Sequence, residues 1–209
     1  PASSMTLAML SGHYDLPATV GILGGLVVGV SIGFVNGLLV TRTTIPSLIV
    51  TIGVMFAVMG LTLGLAVLLK GSTSVSYVPH PTAKFLLGQF INYMFSVAIF
   101  WWLAFVAFFF YILHISPLGN WIFALGGDRE SARNAGIPTS KVTIGLFMAS
   151  GFCAAFVGVA QVMTYQQAQV AGGQSFIFNS IMCVVIGGVL LTGGASSIIG
   201  ILLGTMTFA

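Results

Sequence analysis

Four stretches of this chain, residues 16–41, 43–69, 85–127 and 142–209, contain no Asp, Glu, Lys or Arg. A soluble globule cannot be built that way. Charged residues are roughly 25% of an ordinary soluble domain; here they are 4%, and 57% of the chain is hydrophobic. The solvent for most of the chain is therefore lipid. In lipid every backbone N–H and C=O must be satisfied without water, so only helices and closed barrels cross. A barrel strand alternates apolar and polar residues over about ten positions. Residues 95–113 instead form a nearly solid apolar block, with Trp101 and Trp102 in its first half. The expected fold is all-α, a polytopic transmembrane helical bundle.

A crossing needs about 20 apolar residues to traverse about 30 Å of hydrocarbon. That places spans near 17–40, 47–69, 95–115, 142–163 and 180–192, in one transmembrane domain covering 1–209. Residues 1–11 read as the end of an earlier span, and another starts from 197. The chain opens at Pro1 without an initiator Met and stops inside an apolar run. It is expected to be the middle of a longer membrane protein, cut at both ends. If crossings alternate, Arg42, Arg129, Arg133 and Lys141 share one side, while Lys70 and Lys84 share the other. The Lys/Arg bias then makes the 116–141 loop cytoplasmic. Segments 12–16, 70–94 and 164–179 fall outside.

Gly21, Gly25, Gly29, Gly33 and Gly37 recur every four residues along the first complete span. Overlapping GxxxG steps let a neighbouring helix approach until backbones touch. Close packing in a crowded bundle explains them, and so does a sliding surface in a moving transporter.

The 116–141 loop carries the densest local signals. Asp128 follows Gly126-Gly127 and is placed to cap a helix by accepting from exposed backbone N–H groups. Glu130 in the first turn and Arg133 nearer the last suit the helix dipole. Gly136 fits the left-handed position just past the end, and Pro138 stops continuation. This predicts a helix over 129–135. At about two turns it is far below the roughly 12–15 residues that hold alone in water, so it persists only when docked. Five of the chain's nine charged residues lie between Asp128 and Lys141. A solvated loop anchoring topology and a docking knob for a cytoplasmic partner both account for them.

Other chemistry finds little support. His13, His80 and His114 are far apart and make no metal-spaced cluster. Cys153 and Cys183 lie in apolar segments without CxxC spacing and read as buried, inert thiols. The spans hold no Asp or Glu of the kind that couples carriers to protons or sodium. There is no GxS motif with a partnered span histidine, and no P-loop, so nucleotide use falls to a separate chain. No basic cluster is dense enough to follow a nucleic-acid backbone. The neutral polar residues Asn36, Thr51, Gln161 and Asn179 (with Ser180) remain as candidates for a translocation path. Interhelical hydrogen bonding is their commoner use.

Four motifs, taken in order, resemble one family. Asn36-Gly37-Leu38-Leu39-Val40 with Ile45-Pro46-Ser47-Leu48-Ile49-Val50-Thr51-Ile52-Gly53 is similar to an NGLLV…IPxFIVTLG stretch. Leu118-Gly119-Asn120 followed by Ala124-Leu125-Gly126-Gly127-Asp128 is similar to (F/L)GN…AxGGN. Glu130-Ser131-Ala132-Arg133-Asn134-Ala135-Gly136-Ile137 resembles an EAAxxxG coupling loop. Val184-Val185-Ile186-Gly187-Gly188, with Leu191-Thr192-Gly193-Gly194 and Gly200, resembles a VVIGGxxLxGGxGxxxG ending. These are motifs of permease subunits of ribose-type bacterial ABC importers. Two departures stand out. Ile177-Phe178-Asn179 occupies the place where the family commonly has Glu-Leu-Asp, and Asp128 replaces the usual Asn after Gly-Gly.

The resemblance implies a multi-pass protein of the bacterial plasma (inner) membrane that is a transport subunit and no enzyme. Two permease subunits, identical or paralogous, would form the path for a pentose- or hexose-like sugar or a similar small polar solute. ABC ATPase subunits would sit below, holding ATP-Mg, with no cofactor on this chain. An extracytoplasmic solute-binding protein would deliver the sugar. Gly127, Asp128, Glu130, Ala132, Arg133 and Gly136 would contact or shape the contact with the ATPase. An ATP-independent carrier or channel for a small neutral solute is the alternative.

Overall fold

A computed structural model of the protein describes residues 1–12, 14, 16–77, 90–91, 95–189 and 197–208. Among the described residues the charge-free stretches are mostly helix, as a backbone without water requires. In chain order the elements are α1 (Ala2–Gly12), α2 (Ala18–Arg42), α3 (Ser47–Lys70), β1 (Ser74–Ser76), β2 (Phe90–Ile91), β3 (Phe95–Ser96) and α4 (Ala98–His114). Then follow α5 (Pro117–Gly127), α6 (Arg129–Asn134), α7 (Thr139–Tyr165), β4 (Gln167–Gln169), α8 (Gln174–Ile186) and α9 (Ile198–Phe208). Among the described residues α2, α3 and α7 are each long and apolar enough to cross a membrane. They lie within a few residues of the expected 17–40, 47–69 and 142–163. The chain packs as two compact units, residues 1–98 with 143–173, and residues 99–142 with 174–209.

The first unit is built on a glycine seam. Gly21, Gly25, Gly29, Gly33 and Gly37 are buried on α2, and each faces backbone or a short side chain. A Cβ at Gly37 would stand 2.8 Å from Ile144 Cα, one at Gly33 2.9 Å from Met148 Cα, and one at Gly29 2.7 Å from the Gly151 carbonyl oxygen. At Gly25 it would lie 2.9 Å from the Ser3 carbonyl oxygen and 3.3 Å from Val159 Cγ2. Positions descending along α2 thus meet positions ascending along α7, so the two helices are antiparallel, with α1 packed at the Gly21 and Gly25 end. Dispersion between touching backbones is what holds such a seam, since lipid offers no hydrophobic gain.

The apolar core of this unit lies at one end, where Met5, Leu7 and Ala8 of α1 meet Val159, Val162 and Met163 of α7. β1 and β4 cover that end as an antiparallel pair, Ser74 opposite Gln169, Val75 opposite Ala168 and Ser76 opposite Gln167. Period-two alternation turns Val75 and Ala168 into the core and leaves the polar residues outward. Gln166, left-handed at φ 56°, turns the chain out of α7 into β4. The pairing brings Ser74–Ser76 and Gln167–Gln169 to the same end of this unit. β2 and β3 form a separate two-residue pair.

In the second unit two features depart from expectation. The 116–141 segment is not a loop with one helix: residues 117–127 form α5, bent 76° from α4. Pro117 at the first helical position starts α5, and the missing N–H of proline costs nothing there. A Cβ on buried Gly119 would collide with the Leu113 carbonyl, so glycine alone lets α5 fold back over the end of α4. The span expected at 180–192 is shifted to α8, Gln174–Ile186, with 190–192 outside the described residues. Gly188 at φ 74° ends α8. Its N–H bonds Val185 O at 2.9 Å and the Val189 N–H bonds Val184 O at 3.2 Å, the paired bonds of a Schellman stop. At about 20 Å the 13 residues of α8 fall short of a bilayer. Gly187 presses against Gly200 and Ile201 of α9, where a Cβ would lie 2.7 Å from the Gly200 oxygen. The VVIGG motif is therefore a helix stop and a backbone contact in one.

Candidate functional site

Asp128 is the joint of the 116–141 segment. Its N–H closes α5 on Ala124 O at 3.2 Å. Its side chain opens α6, Oδ1 accepting from the Glu130 N–H at 3.1 Å and Oδ2 from the Ser131 N–H at 3.1 Å. Oδ2 also accepts a short bond from the Ser131 hydroxyl. These bonds, the hydroxyl first and the two backbone donors after it, hold the Asp128 carboxyl below its ordinary pKa. At the other end Gly136 is left-handed at φ 81°. Its N–H reaches Arg133 O at 3.0 Å, and the Ile137 N–H reaches Ala132 O at 3.1 Å. That is a second Schellman stop. The helix runs Arg129–Asn134, one residue shorter than the 129–135 expected, because Ala135 is already the cap.

Both ends of α6 are thus closed by named bonds, and the two turns do not unwind for want of partners. Ala132, 3% exposed, is its buried residue, and α6 packs back on α5. Gly127, Asp128, Arg129, Glu130, Ser131, Arg133 and Gly136 are exposed. Of the six residues expected to serve coupling, Gly127, Asp128, Glu130, Arg133 and Gly136 are presented on this knob and Ala132 is its footing.

The four path candidates are not gathered. Asn36, Thr51 and Gln161 lie on α2, α3 and α7 of the first unit, and Asn179 on α8 of the second. The antiparallel seam puts Asn36 near the level of Ile144 and Gln161 beyond that of Gly25, at opposite ends. Thr51 donates to Leu48 O of its own helix at 3.0 Å. Asn36 differs from these: its side-chain oxygen is buried without a hydrogen-bond partner. Among the described residues no cluster of His, Cys, Asp or Glu could hold a metal; His13 and His80, and the Leu191–Gly194 part of the fourth motif, lie outside them. Sequence reasoning missed the α7 side of the seam, Gly151 with Ala155, whose small-xxx-small spacing was its available signal. It also missed α5, although Leu118, Trp121, Ile122 and Leu125 have helical spacing.

Residues 2–209 match the family described as "Branched-chain amino acid transport system / permease component". The chain belongs to this permease family. It is 29% identical to the fructose import permease of Rhizobium meliloti, over 98% of this chain and 57% of that protein. To the ribose import permease of Escherichia coli K12 it is 30% identical, over 92% of this chain and 59% of the relative. For the L-arabinose ABC transporter permease of Azospirillum brasilense the identity is 31%, over 89% and 53%. The chain therefore spans little more than half the length of these relatives. No solved structure matches it. The fold is accordingly that of a helical transmembrane permease component, multi-pass in the membrane.

Proposed function

We propose that this chain is the membrane-spanning permease subunit of an ATP-driven importer that moves a pentose- or hexose-like sugar, or a similar small polar solute, into the cell. Its setting is the bacterial inner membrane. A second permease subunit, identical or paralogous, completes the path. Cytoplasmic ABC ATPases hold ATP-Mg, and an extracytoplasmic binding protein hands over the solute. The single observation that carries this reading is α6, closed at both ends and offering Glu130 and Arg133 to a partner. The ribose, fructose and arabinose names of the relatives support a sugar as cargo.

The mechanics follow from the caps. A force applied to an uncapped two-turn helix is spent in unwinding it. In α6 the Asp128 and Gly136 caps hold the turns, so displacement passes into α5 and α7. No catalytic group is needed on this chain; hydrolysis belongs to the partner and transmission to α6. The test is ATP-driven sugar uptake by the full permease reconstituted with its ATPase and binding protein. Glu130→Lys and Gly136→Val each lower uptake about tenfold, the loss expected when a central interface residue is removed, while membrane insertion is unchanged. Wild-type uptake in both variants would sink the coupling role.

A further inference from the structure

We propose that α5 is an in-plane membrane anchor, lying in the inner-leaflet interface with Leu118, Trp121, Ile122 and Leu125 set into the boundary between headgroups and acyl chains. Three observations on one unit of the molecule lead there. First, α4 is apolar on all sides: no residue of its 17 is buried. In this reading its 17 residues, about 25 Å long, stand along the membrane normal with their sides in lipid. α5 leaves its end at 76°, which sets α5 close to the membrane plane at the level where α4 ends. Second, positions 118, 121, 122 and 125 fall on one face of an 11-residue helix. Leu118 is 48% and Trp121 37% exposed. Gly119, on the other side, is pressed on the Leu113 carbonyl, and Asn120 is exposed away from the apolar face. Third, the residues after α5 change character at once. Asp128, Arg129, Glu130 and Arg133 are all exposed, so the water boundary falls at Gly127.

An apolar face of four large side chains does not turn to water, and the 76° bend turns α5 from the line of α4 toward the membrane plane. Opposite its four large apolar side chains α5 carries Asn120, Gly127 and one large apolar residue, half-buried Phe123; with a tryptophan at headgroup level it suits the interface. The lipid surface is therefore its occupant. Its consequence is mechanical: α6 is held at a fixed height above the bilayer, with the membrane as the surface against which a partner pushes. The inner side follows from the Lys/Arg bias, and the anchor itself does not depend on which partner grips α6.

These 209 residues hold three tryptophans, so Trp101→Phe with Trp102→Phe, together with Trp→Phe at every tryptophan of the full permease outside them, leaves Trp121 as the reporter in nanodiscs. Lipids brominated near the headgroup should quench Trp121 about twofold more than lipids brominated near the chain end, the depth expected of an interfacial helix. Aqueous acrylamide should quench weakly. Dominant acrylamide quenching places α5 in water, and dominant deep quenching makes it a continuation of α4; either overturns the proposal. Loss of lipid quenching when purified ATPase is added makes the occupant a protein and overturns it as well. If that variant does not fold, 5-fluorotryptophan in the unaltered chain, with Trp121→Phe to assign its resonance and nitroxide lipids to broaden it, gives the same depth. Transport plays no part in either readout, so failure of the importer reading and failure of the anchor are separately visible.

Discussion

α2 and α3 are adjacent helices of 25 and 24 residues, both rich in glycine, and their glycines mean opposite things. On α2 a Cβ at Gly29, Gly33 or Gly37 would run into the backbone or Cβ of α7. On α3 nothing lies within 4 Å of a Cβ at Gly53, Gly60 or Gly64, and Ala66 is the helix's buried residue. The spacing of small residues permits backbone contact; it does not make one. What turns permission into a seam is a second helix with its own small face, here Gly151 and Ala155 of α7. Gly136 is a third kind, with open space around it and a left-handed backbone that a side chain resists.

The comparison breaks if Gly29→Val is tolerated. Its methyls would meet Ala155 and the Gly151 carbonyl, and overpacking against backbone should cost about 3 kcal/mol. Unfolding in a fixed lipid–detergent mixture reads that loss directly. Gly136→Ala comes next, at about 1–2 kcal/mol for a left-handed non-glycine residue. It loosens α6 and leaves the seam intact, so amide exchange should rise at 129–137 and stay unchanged in α2.

Asp128 sharpens the contrast further, because its side-chain oxygens accept the bonds that open α6. Asp128→Ala should speed exchange of the Glu130 and Ser131 amides several-fold, and Asp128→Asn should restore most of the protection, since either residue caps a helix. The folded carboxyl titrates below its ordinary range. Its contribution is therefore complete above the unfolded value of about 3.9 and is lost as pH falls through the lowered folded value. Exchange protection at these two amides should be flat from neutral pH to about 5 and fall only in stronger acid. The smallest effect belongs to α3: Gly60→Ala should leave stability unchanged or raise it by up to about 1 kcal/mol, the propensity difference in an uncrowded helix. A large loss at Gly60 would erase the distinction between the two helices.

Much of this was legible before any coordinates. The gaps between charges located α2, α3 and α7 to within a few residues, because lipid leaves helix as the only open-chain solution. The run from Asp128 to Pro138 announced α6 through local chemistry, an acid before, a glycine and a proline after. α5 was hidden for a physical reason. Its 11 residues, between Pro117 and Gly127, are too few for a crossing, and charge spacing cannot distinguish a short helix in the plane from a loop. α8 was misplaced because apolarity continues past Gly187, while the stop depends on the left-handed geometry of Gly188.

The chain's own residues determined that it spans lipid as helices, where its water-facing knob lies and how that knob is capped. Each depends on hydropathy or on bonds within a few positions. Only the tertiary structure decided which helix fills the α2 seam, that residues 74–76 pair with 167–169, and that α5 turns 76° from α4. These depend on groups distant in the chain meeting at atomic range, and a sequence records such contacts only as small residues that permit them.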